Sequence, residues 1–154
     1  MSNKYYGYYD SPIGILEIIT SDTALISAMF VEEVKKSSGE SQIFKEIVKQ
    51  FEEYFKGTRK DFDIQCELQG TEFQKKVWEV LIKIPYGVTI SYKELAIAIG
   101  NEKATRAVGK ANGKNIISII IPCHRVIGSD NSLTGYVGGL NRKKWLLEHE
   151  RENK

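Results

Sequence analysis

The segment from residue 101 to residue 127 reads NEKATRAVGKANGKNIISIIIPCHRVI and decides how the second half of the chain folds. A turn at 101–103 precedes a short, basic helix predicted from about Ala104 to Gly113. The apolar run Ile116–Ile121 is typical of a buried strand, and Pro122 ends it immediately before Cys123. The segment therefore places a cysteine directly after a buried run and close in sequence to a surface helix.

The residues around this segment predict a mostly helical domain. Ser91 and Glu94 form a capping-box pattern for a short helix through Ile99, and Gly100 closes it. Two short helices with a tight connection, the second one basic, are typical of a helix-turn-helix. Helical spacing also predicts a preceding helix over 71–84, with an apolar stripe, and a last helix over about 141–150. The stripe comprises Phe73, Val77, Val80, Leu81 and Ile84, and the residues expected to face the core in the last helix are Trp145, Leu146 and His149.

The first part of the chain has a different pattern. Residues 14–20 and 24–30 are β-rich runs joined at Ser21-Asp22-Thr23, which is typical of a hairpin. Residues 41–55 then carry apolar side chains at helical spacing, and Gly57 ends the helix. The composition changes near residue 70, so we predict two domains, 1–69 and 70–154. The fold class is α+β, with a small sheet-plus-helix domain followed by a mostly helical, winged helix-turn-helix-like domain.

Length and composition exclude several classes of protein. The chain has 154 residues, of which 42% are hydrophobic, enough for one domain or for a domain with a small partner. It lacks an apolar stretch of about eighteen residues, so we predict no membrane contact. The two cysteines and two histidines lack the paired spacing of a zinc site. We expect no metal, no cofactor, and a reducing, cytoplasmic location.

The net charge of +2 hides an asymmetry along the chain. Residues 1–70 carry 8 basic and 12 acidic side chains, a net charge of −4, whereas residues 71–154 carry 14 basic and 8 acidic ones, a net charge of +6. No acidic residue lies between Lys103 and Ser129. A polyanion would therefore bind the second half of the chain, although charge alone is equally compatible with a solvated basic face.

Cys123 is the candidate nucleophile. A lone cysteine after an apolar strand is usually an inert buried thiol, but here a histidine and an arginine follow at once. A thiolate persists at neutral pH only beside positive charge or a hydrogen-bonding base. Side chains of adjacent residues in an extended chain point apart, so His124 needs a bridging water or a backbone bend to reach Cys123. Glu150 in the last helix could orient the imidazole. Cys66 lacks basic neighbours and is predicted to be structural.

The segment Pro122-Cys123-His124-Arg125-Val126 resembles the active-site signature of the O6-alkylguanine-DNA alkyltransferases. Other segments, both before and after it, resemble the same family in their order and spacing. The resemblance covers essentially the whole chain from residue 71 onward. They are Thr89-Ile90-Ser91-Tyr92, Thr105-Arg106-Ala107-Val108-Gly109, Asn115, Gly135-Tyr136-Val137-Gly138-Gly139, and Trp145 through Glu150. The first domain has only a weak similarity to the small, ribonuclease H-like domain of the family. One departure is Ile116, which stands where the family usually has proline.

The resemblance implies a single-turnover DNA repair reaction with no cofactor. Cys123 would take a methyl or other alkyl group from O6 of guanine, with O4-alkylthymine as a possible second substrate. His124, through water and Glu150, would hold the thiol ionised, and Asn115 would fix the backbone nearby. Tyr92 would donate a proton toward the departing guanine.

The resemblance also implies how base and DNA are bound. Carbonyl oxygens of Cys123 and Val126 would accept from the exocyclic amine, the Val137 N–H would face O6, and Tyr136 would stack on the base. Gly138 and Gly139 would complete this pocket. Arg106 would fill the vacancy left by a flipped base as the helix lies in the minor groove of duplex DNA, bound by a monomer. The further DNA contacts implied are Thr105, Ala107, Gly109, Lys110, Asn112 and Ser129.

Two other classes of function remain open. Alkyltransferase-like proteins bind damaged DNA but lack the acceptor cysteine, and the presence of Cys123 argues against that class. A Cys–His hydrolase would need an oxyanion hole and would turn over its substrate repeatedly. One-to-one stoichiometry would favour alkyl transfer over hydrolysis.

Overall fold

The computed structural model describes residues 3–35, 38–130 and 136–154, which fold as two compact units. One unit comprises the described residues up to Leu68 together with Asn153. The other comprises the described residues from Gln69 to Glu152 together with Lys154. The predicted fold class is confirmed, because the first unit holds a small sheet and one helix and the second is mostly helical.

The first unit is an antiparallel three-stranded sheet with one helix. Its strands are β1 (Tyr5–Ser11), β2 (Gly14–Thr20) and β3 (Leu25–Val31), in the order β1-β2-β3, and its helix is α1 (Phe44–Phe55). The sequence pattern predicted β2 and β3 but not β1. The tyrosines of β1 are half-buried, so this strand shows no clear alternation of buried and exposed residues. Phe51 and Tyr54 from the helix are fully buried and form the core with Leu16 and Ile18 of β2.

Helices α2 (Glu72–Ile82), α3 (Tyr92–Ala98) and α4 (Thr105–Gly113) form the body of the second unit, and α5 (Leu140–Glu152) follows them. The Ser91–Glu94 capping box at the start of α3 is confirmed, and Thr71 forms a second box with Gln74 at the start of α2. A short 3-10 turn, Glu102–Ala104, connects α3 to α4. These caps satisfy backbone donors that would otherwise be unpaired, and they fix where each helix begins.

The run Ile116–Ile121 is not a strand, contrary to the sequence-based prediction. It forms turns in which Ile120 N donates to Ser118 O at 2.8 Å, and Ile119 has a φ of 72°. A branched side chain rarely adopts this left-handed conformation, so surrounding contacts must hold it there. Strand pairing occurs instead between two-residue strands, β4 (Ile90–Ser91) and β5 (Val126–Ile127), which run parallel.

Two helical faces also differ from the prediction. In α5 the buried residues are Lys143, Leu146 and Glu150, whereas Trp145 and His149 are half-buried and stack on each other at 4.8 Å. Phe73, expected on the core stripe of α2, is exposed. In the described parts of the chain, no helix combines the length and apolar character needed to cross a membrane.

Candidate active site

Asn115 organises the irregular segment that leads to the nucleophile. Its Nδ2 donates to the carbonyls of Ile117 at 3.1 Å and Ile121 at 2.9 Å, and its Oδ1 accepts from Ile117 N at 2.9 Å. The same Nδ2 lies 3.3 Å from the Sγ of Cys123. One buried amide therefore both holds the strained turn and contacts the thiol.

Cys123 begins a 3-10 turn, Cys123–Arg125, and is only 1% exposed. The backbone bends in this turn, but His124 Nδ1 has no hydrogen-bond partner among the described residues, so the bend does not bring the imidazole into hydrogen-bonding contact with the thiol. Burial raises the pKa of the Cys123 thiol above its ordinary value, while the Asn115 hydrogen bond and the charge of Lys143 lower it. Because burial has the larger effect, the net pKa of the thiol lies above its ordinary value, which favours the protonated form at neutral pH.

His124 is fully buried and its Nε2 lies 2.7 Å from Oε2 of Glu150. Burial lowers the pKa of His124 below its ordinary value, although Glu150 opposes this effect. For Glu150, burial alone would raise the pKa, but His124 and Arg125 outweigh it and hold the pKa well below the usual range. The pair is therefore a neutral imidazole beside a carboxylate, with the proton on Nε2 and the lone pair on Nδ1.

Arg125 holds Glu150 from the other side. Its Nε donates to Oε1 at 2.8 Å, its Nη2 donates to Oε2 at 3.0 Å, and its Nη1 donates to the Ile84 carbonyl at 2.6 Å. Gly87 N adds a hydrogen bond to Oε1 at 3.2 Å. A carboxylate with a bidentate guanidinium partner is fixed in both charge and orientation, and it fixes the His124 ring in turn.

Lys143 is a second buried cation at this site. Its Nζ donates to the Val126 carbonyl at 2.6 Å and lies 5.9 Å from the centre of the Tyr92 ring. Burial lowers the pKa of Lys143 to about 8, although the Cys123 thiolate would raise it. Lys143 therefore connects three residues that the sequence analysis had assigned to the site, Cys123, Tyr92 and Val126.

The predicted base-binding residues occupy two environments. Tyr136 is buried, and its ring stands edge-on to His124 with centroids 6.5 Å apart. Val137 is 46% exposed and Gly139, with a φ of 93°, is also exposed. The Gly138 carbonyl accepts from Arg142 Nη1 at 3.0 Å. Gly135, the first residue of this motif, lies outside the described residues.

Most of the predicted DNA contacts lie on the surface of α4. Arg106, Ala107 and Lys110 are exposed, as is Ser129, and Thr105 is half-buried. A methyl group added at Gly109 would meet the Tyr92 ring at 3.5 Å, an ordinary van der Waals distance, so this position faces Tyr92.

The prediction of Asn112 as a DNA contact is wrong. Its side chain is buried on the inner face of α4, where Nδ2 donates to the Cys123 carbonyl at 3.3 Å. The family resemblance implied Asn112 as one of several DNA contacts along α4. Asn112 instead follows Val108 by four residues, and this spacing places it on the inner face.

The sequence pattern did not reveal the roles of Arg125 and Lys143, which are both buried and both paired with atoms of the site. A signal for Lys143 was available in α5, where Lys143, Leu146 and Glu150 recur at helical spacing on one face. A search for an apolar face selects Leu146 and its aromatic neighbours, so it overlooks a face that carries two charges. Among residues 3–35, 38–130 and 136–154, no three His, Cys, Asp or Glu side chains cluster as a metal site would require.

Fold and site together define a two-unit protein whose helical unit joins a helix-turn-helix to a buried cysteine with a histidine–glutamate pair. Two family models match the chain. The 6-O-methylguanine DNA methyltransferase DNA binding domain matches residues 72–152, and the ribonuclease-like domain of the same family matches residues 4–68. The chain belongs to the 6-O-methylguanine DNA methyltransferase family.

Individual relatives are similar over nearly the whole chain. A methylated-DNA–protein-cysteine methyltransferase from Methanosarcina barkeri is 44% identical, covering 97% of this chain and 98% of that protein. The crystal structure of Mycobacterium tuberculosis O6-methylguanine methyltransferase superposes with a TM-score of 0.91 at 43% identity, covering 99% of this chain and 95% of that one. A structure of Mycobacterium tuberculosis OGT in complex with DNA gives a TM-score of 0.90 at 45% identity, covering 96% and 93%.

Proposed function

We propose that this protein repairs DNA by transferring a methyl or other alkyl group from O6 of guanine to the sulfur of Cys123. The observation that carries the proposal is a single buried thiol, contacted by Asn115, next in sequence to a histidine that is paired with Glu150. Membership of the family and its similarity to named methyltransferases support the same reaction.

The chemical step is a displacement at carbon. The Cys123 sulfur forms a bond to the alkyl carbon, the bond from that carbon to O6 breaks, and the electron pair of that bond passes to the guanine. The thiol proton leaves the sulfur, and a proton is delivered to the guanine, so charge balances. The thioether product has no leaving group that water displaces at neutral pH, so each molecule reacts once.

His124 accepts the thiol proton through water, since its Nδ1 has no hydrogen-bond partner among the described residues. With the carboxylate of Glu150 on Nε2, the imidazole presents its lone pair at Nδ1, and burial keeps the ring neutral. Because the buried thiol is protonated at rest, proton transfer accompanies capture of the alkyl group. The family resemblance implied that His124 holds the thiol ionised, whereas in this proposal the thiol loses its proton as it captures the alkyl group.

Tyr92 donates a proton toward the departing guanine, and Tyr136 stacks on the base. The carbonyl oxygens of Cys123 and Val126 accept from the exocyclic amine, while the Val137 N–H faces O6. The nucleophile is almost completely buried, so a base in a duplex cannot reach it without leaving the stack. Flipping costs a few kcal/mol, and Arg106 on the exposed face of α4 fills the vacancy.

Duplex DNA binds along the exposed face of α4, with the helix in the minor groove and one protein molecule at each lesion. Ser129 and the small and basic residues of α4 contact the sugar-phosphate backbone, which carries little sequence information and therefore suits recognition of damage. A reducing compartment such as the cytoplasm keeps Cys123 as a free thiol.

The transfer reaction is tested by intact mass. The protein is incubated with a duplex that contains one O6-methylguanine, weighed, and then digested to locate the modified residue. We expect the mass of one methyl group per molecule on Cys123, with substrate consumed in a one-to-one ratio. Loss of the lesion without a change in the mass of the protein would contradict the proposal, and repeated turnover would indicate a hydrolase.

The flipping role is tested with Arg106→Ala. We expect the rate on duplex DNA to fall roughly tenfold while the rate on the free O6-methylguanine base is nearly unchanged, since the free base needs no extrusion. Lys103→Ala, an exposed cation just before α4, is the matched control for loss of charge. Equal losses on both substrates would refute the flipping role.

A further inference from the structure

The two faces of α4 have opposite surroundings. Arg106 and Lys110 are exposed on the outer face, whereas Val108 and Asn112 are buried on the inner face. Asn112 is 2% exposed, so its polar amide occupies a position where an apolar side chain would pack without losing hydration.

The last turn of α4 is attached on both sides. The indole Nε1 of Trp78 in α2 donates to the Ala111 carbonyl at 2.9 Å. On the other side, Asn112 Nδ2 donates to the Cys123 carbonyl at 3.3 Å, and that carbonyl also accepts from the Val126 N–H. The helix that bears the exposed arginine is therefore hydrogen-bonded directly to the backbone of the candidate nucleophile.

Stability alone does not account for Asn112. Among the described residues, its Oδ1 has no hydrogen-bond partner although the atom is buried. A buried amide that satisfies only one of its two ends contributes little or nothing to folding, because the unpaired end loses its hydration. What the side chain does provide is the contact between α4 and Cys123.

We propose that Asn112 is a positioning residue that couples docking of DNA on α4 to the orientation of Cys123. This inference rests on the proposed alkyl transfer and adds to it. The Asn112 amide fixes the Cys123 carbonyl, and that carbonyl belongs to the residue whose Cβ carries the reacting sulfur. When the outer face of α4 docks on the duplex, the inner face holds sulfur and carbonyl in register with the flipped base.

The experiment compares Asn112→Asp, which keeps the shape but replaces the amide donor, with Asn112→Leu, which removes both polar ends. Each variant and the wild type react with an O6-methylguanine duplex and with the free O6-methylguanine base, and duplex affinity is measured by anisotropy on the unmodified sequence. Because each molecule reacts once, the final methylated fraction counts competent molecules and the rate constant is independent of any unfolded fraction.

We expect both variants to lower the saturating rate on the duplex about tenfold, with duplex affinity kept within about twofold, because the docked helix no longer holds the nucleophile in register with the flipped base. The rate on the free base, which docks nothing on α4, should change less than about threefold. Val108→Ala is the matched control, since it opens a cavity on the same buried face without removing a contact to Cys123. It should lower the melting temperature and leave the ratio of the two rates unchanged.

Two results would overturn the coupling role. One is an unchanged duplex rate in both Asn112 variants, and the other is an equal fall on duplex and free base, which indicates a purely structural effect. Failure of the underlying function has a different signature, because the wild type itself would then acquire no methyl group on Cys123.

Discussion

The two cysteines, one in each unit, show how their surroundings separate an inert thiol from a nucleophile. Cys66 is half-buried in an extended segment bridged to Leu25, its thiol lies 3.6 Å from the Ile64 carbonyl, and burial raises its pKa to about 11. Burial also raises the pKa of Cys123, but there Asn115 and Lys143 act in the opposite direction. Burial shifts the pKa of both thiols in the same direction, so what separates the nucleophile is the hydrogen-bond donor and the cation beside it.

The local backbones of the two cysteines differ as well. Around Cys66, Leu25 N donates to Gln65 O at 2.9 Å and Glu67 N donates to Leu25 O at 2.8 Å, so the chain adds to a sheet and its side chains alternate. Cys123 instead follows the positive-φ turn at Ile119 and starts a 3-10 turn. Irregular backbone lets one amide, that of Asn115, reach carbonyls and a sulfur that a straight strand would keep apart.

The largest effect is expected when each cysteine is replaced in turn. Cys123→Ala should abolish methyl transfer from an O6-methylguanine duplex, because no other described thiol has a donor and a cation beside it. Cys66→Ala should transfer at the wild-type rate and lose about 1 kcal/mol of unfolding free energy. Intact mass and urea denaturation measure the two quantities. Methylation of the Cys123→Ala variant would contradict the assignment of Cys123, and not Cys66, as the acceptor thiol.

Glu150→Gln should remove the carboxylate that orients the His124 ring, and it should leave Arg125 buried without its counter-charge. We expect transfer to slow about a hundredfold or more and unfolding free energy to fall by about 3–5 kcal/mol. Glu148→Gln, a half-buried neighbour in α5, is the control and should cost less than about 1 kcal/mol. Single-turnover rates and urea denaturation test this. Similar losses in both variants would show that the Glu150 carboxylate has no special role.

Removing Lys143 should make the surroundings of Cys123 more like those of Cys66. In Lys143→Met the cation that lowers the thiol pKa is gone, so the rise of the transfer rate with pH should shift to higher pH. At neutral pH we expect a rate about tenfold slower. Lys144→Met, one residue along and exposed, should leave the profile unchanged. Superimposable pH–rate profiles for the wild type and Lys143→Met would show that Lys143 does not lower the pKa of the Cys123 thiol.

The smallest effect is a pH dependence of stability. The pKa of Glu150 is held below its unfolded value of about 4.3, so its stabilising contribution is complete above that pH and is lost as the pH falls toward the folded pKa. The difference in unfolding free energy between wild type and Glu150→Gln should therefore shrink below about pH 4. Urea denaturation across the acid range measures it. A constant difference would mean that the charge of Glu150 is not what stabilises the fold.

Local patterns predicted the helices of the second unit well, because a capping box and a terminating glycine act within a few residues. Ser91 and Gly100 bound α3 as the sequence suggested. The same reasoning failed for residues 116–121, where six mainly β-branched residues favour a strand but the Asn115 amide imposes turns. The assignment of Asn112 to the DNA surface came from the family resemblance, which did not reveal that this position lies on the buried face of α4.

The sequence by itself determined the helix-turn-helix, the basic second half, the family, and Cys123 with His124 as the candidate reactive pair, because each depends on residues close together in the chain. Only the tertiary structure decided that Arg125 and Lys143 are buried partners of the site and that Asn112 faces inward. Charged and amide side chains usually stay in water, so a position in sequence does not indicate burial. Their burial depends on partners such as Glu150, 25 residues from Arg125, and those contacts exist only once the chain has folded.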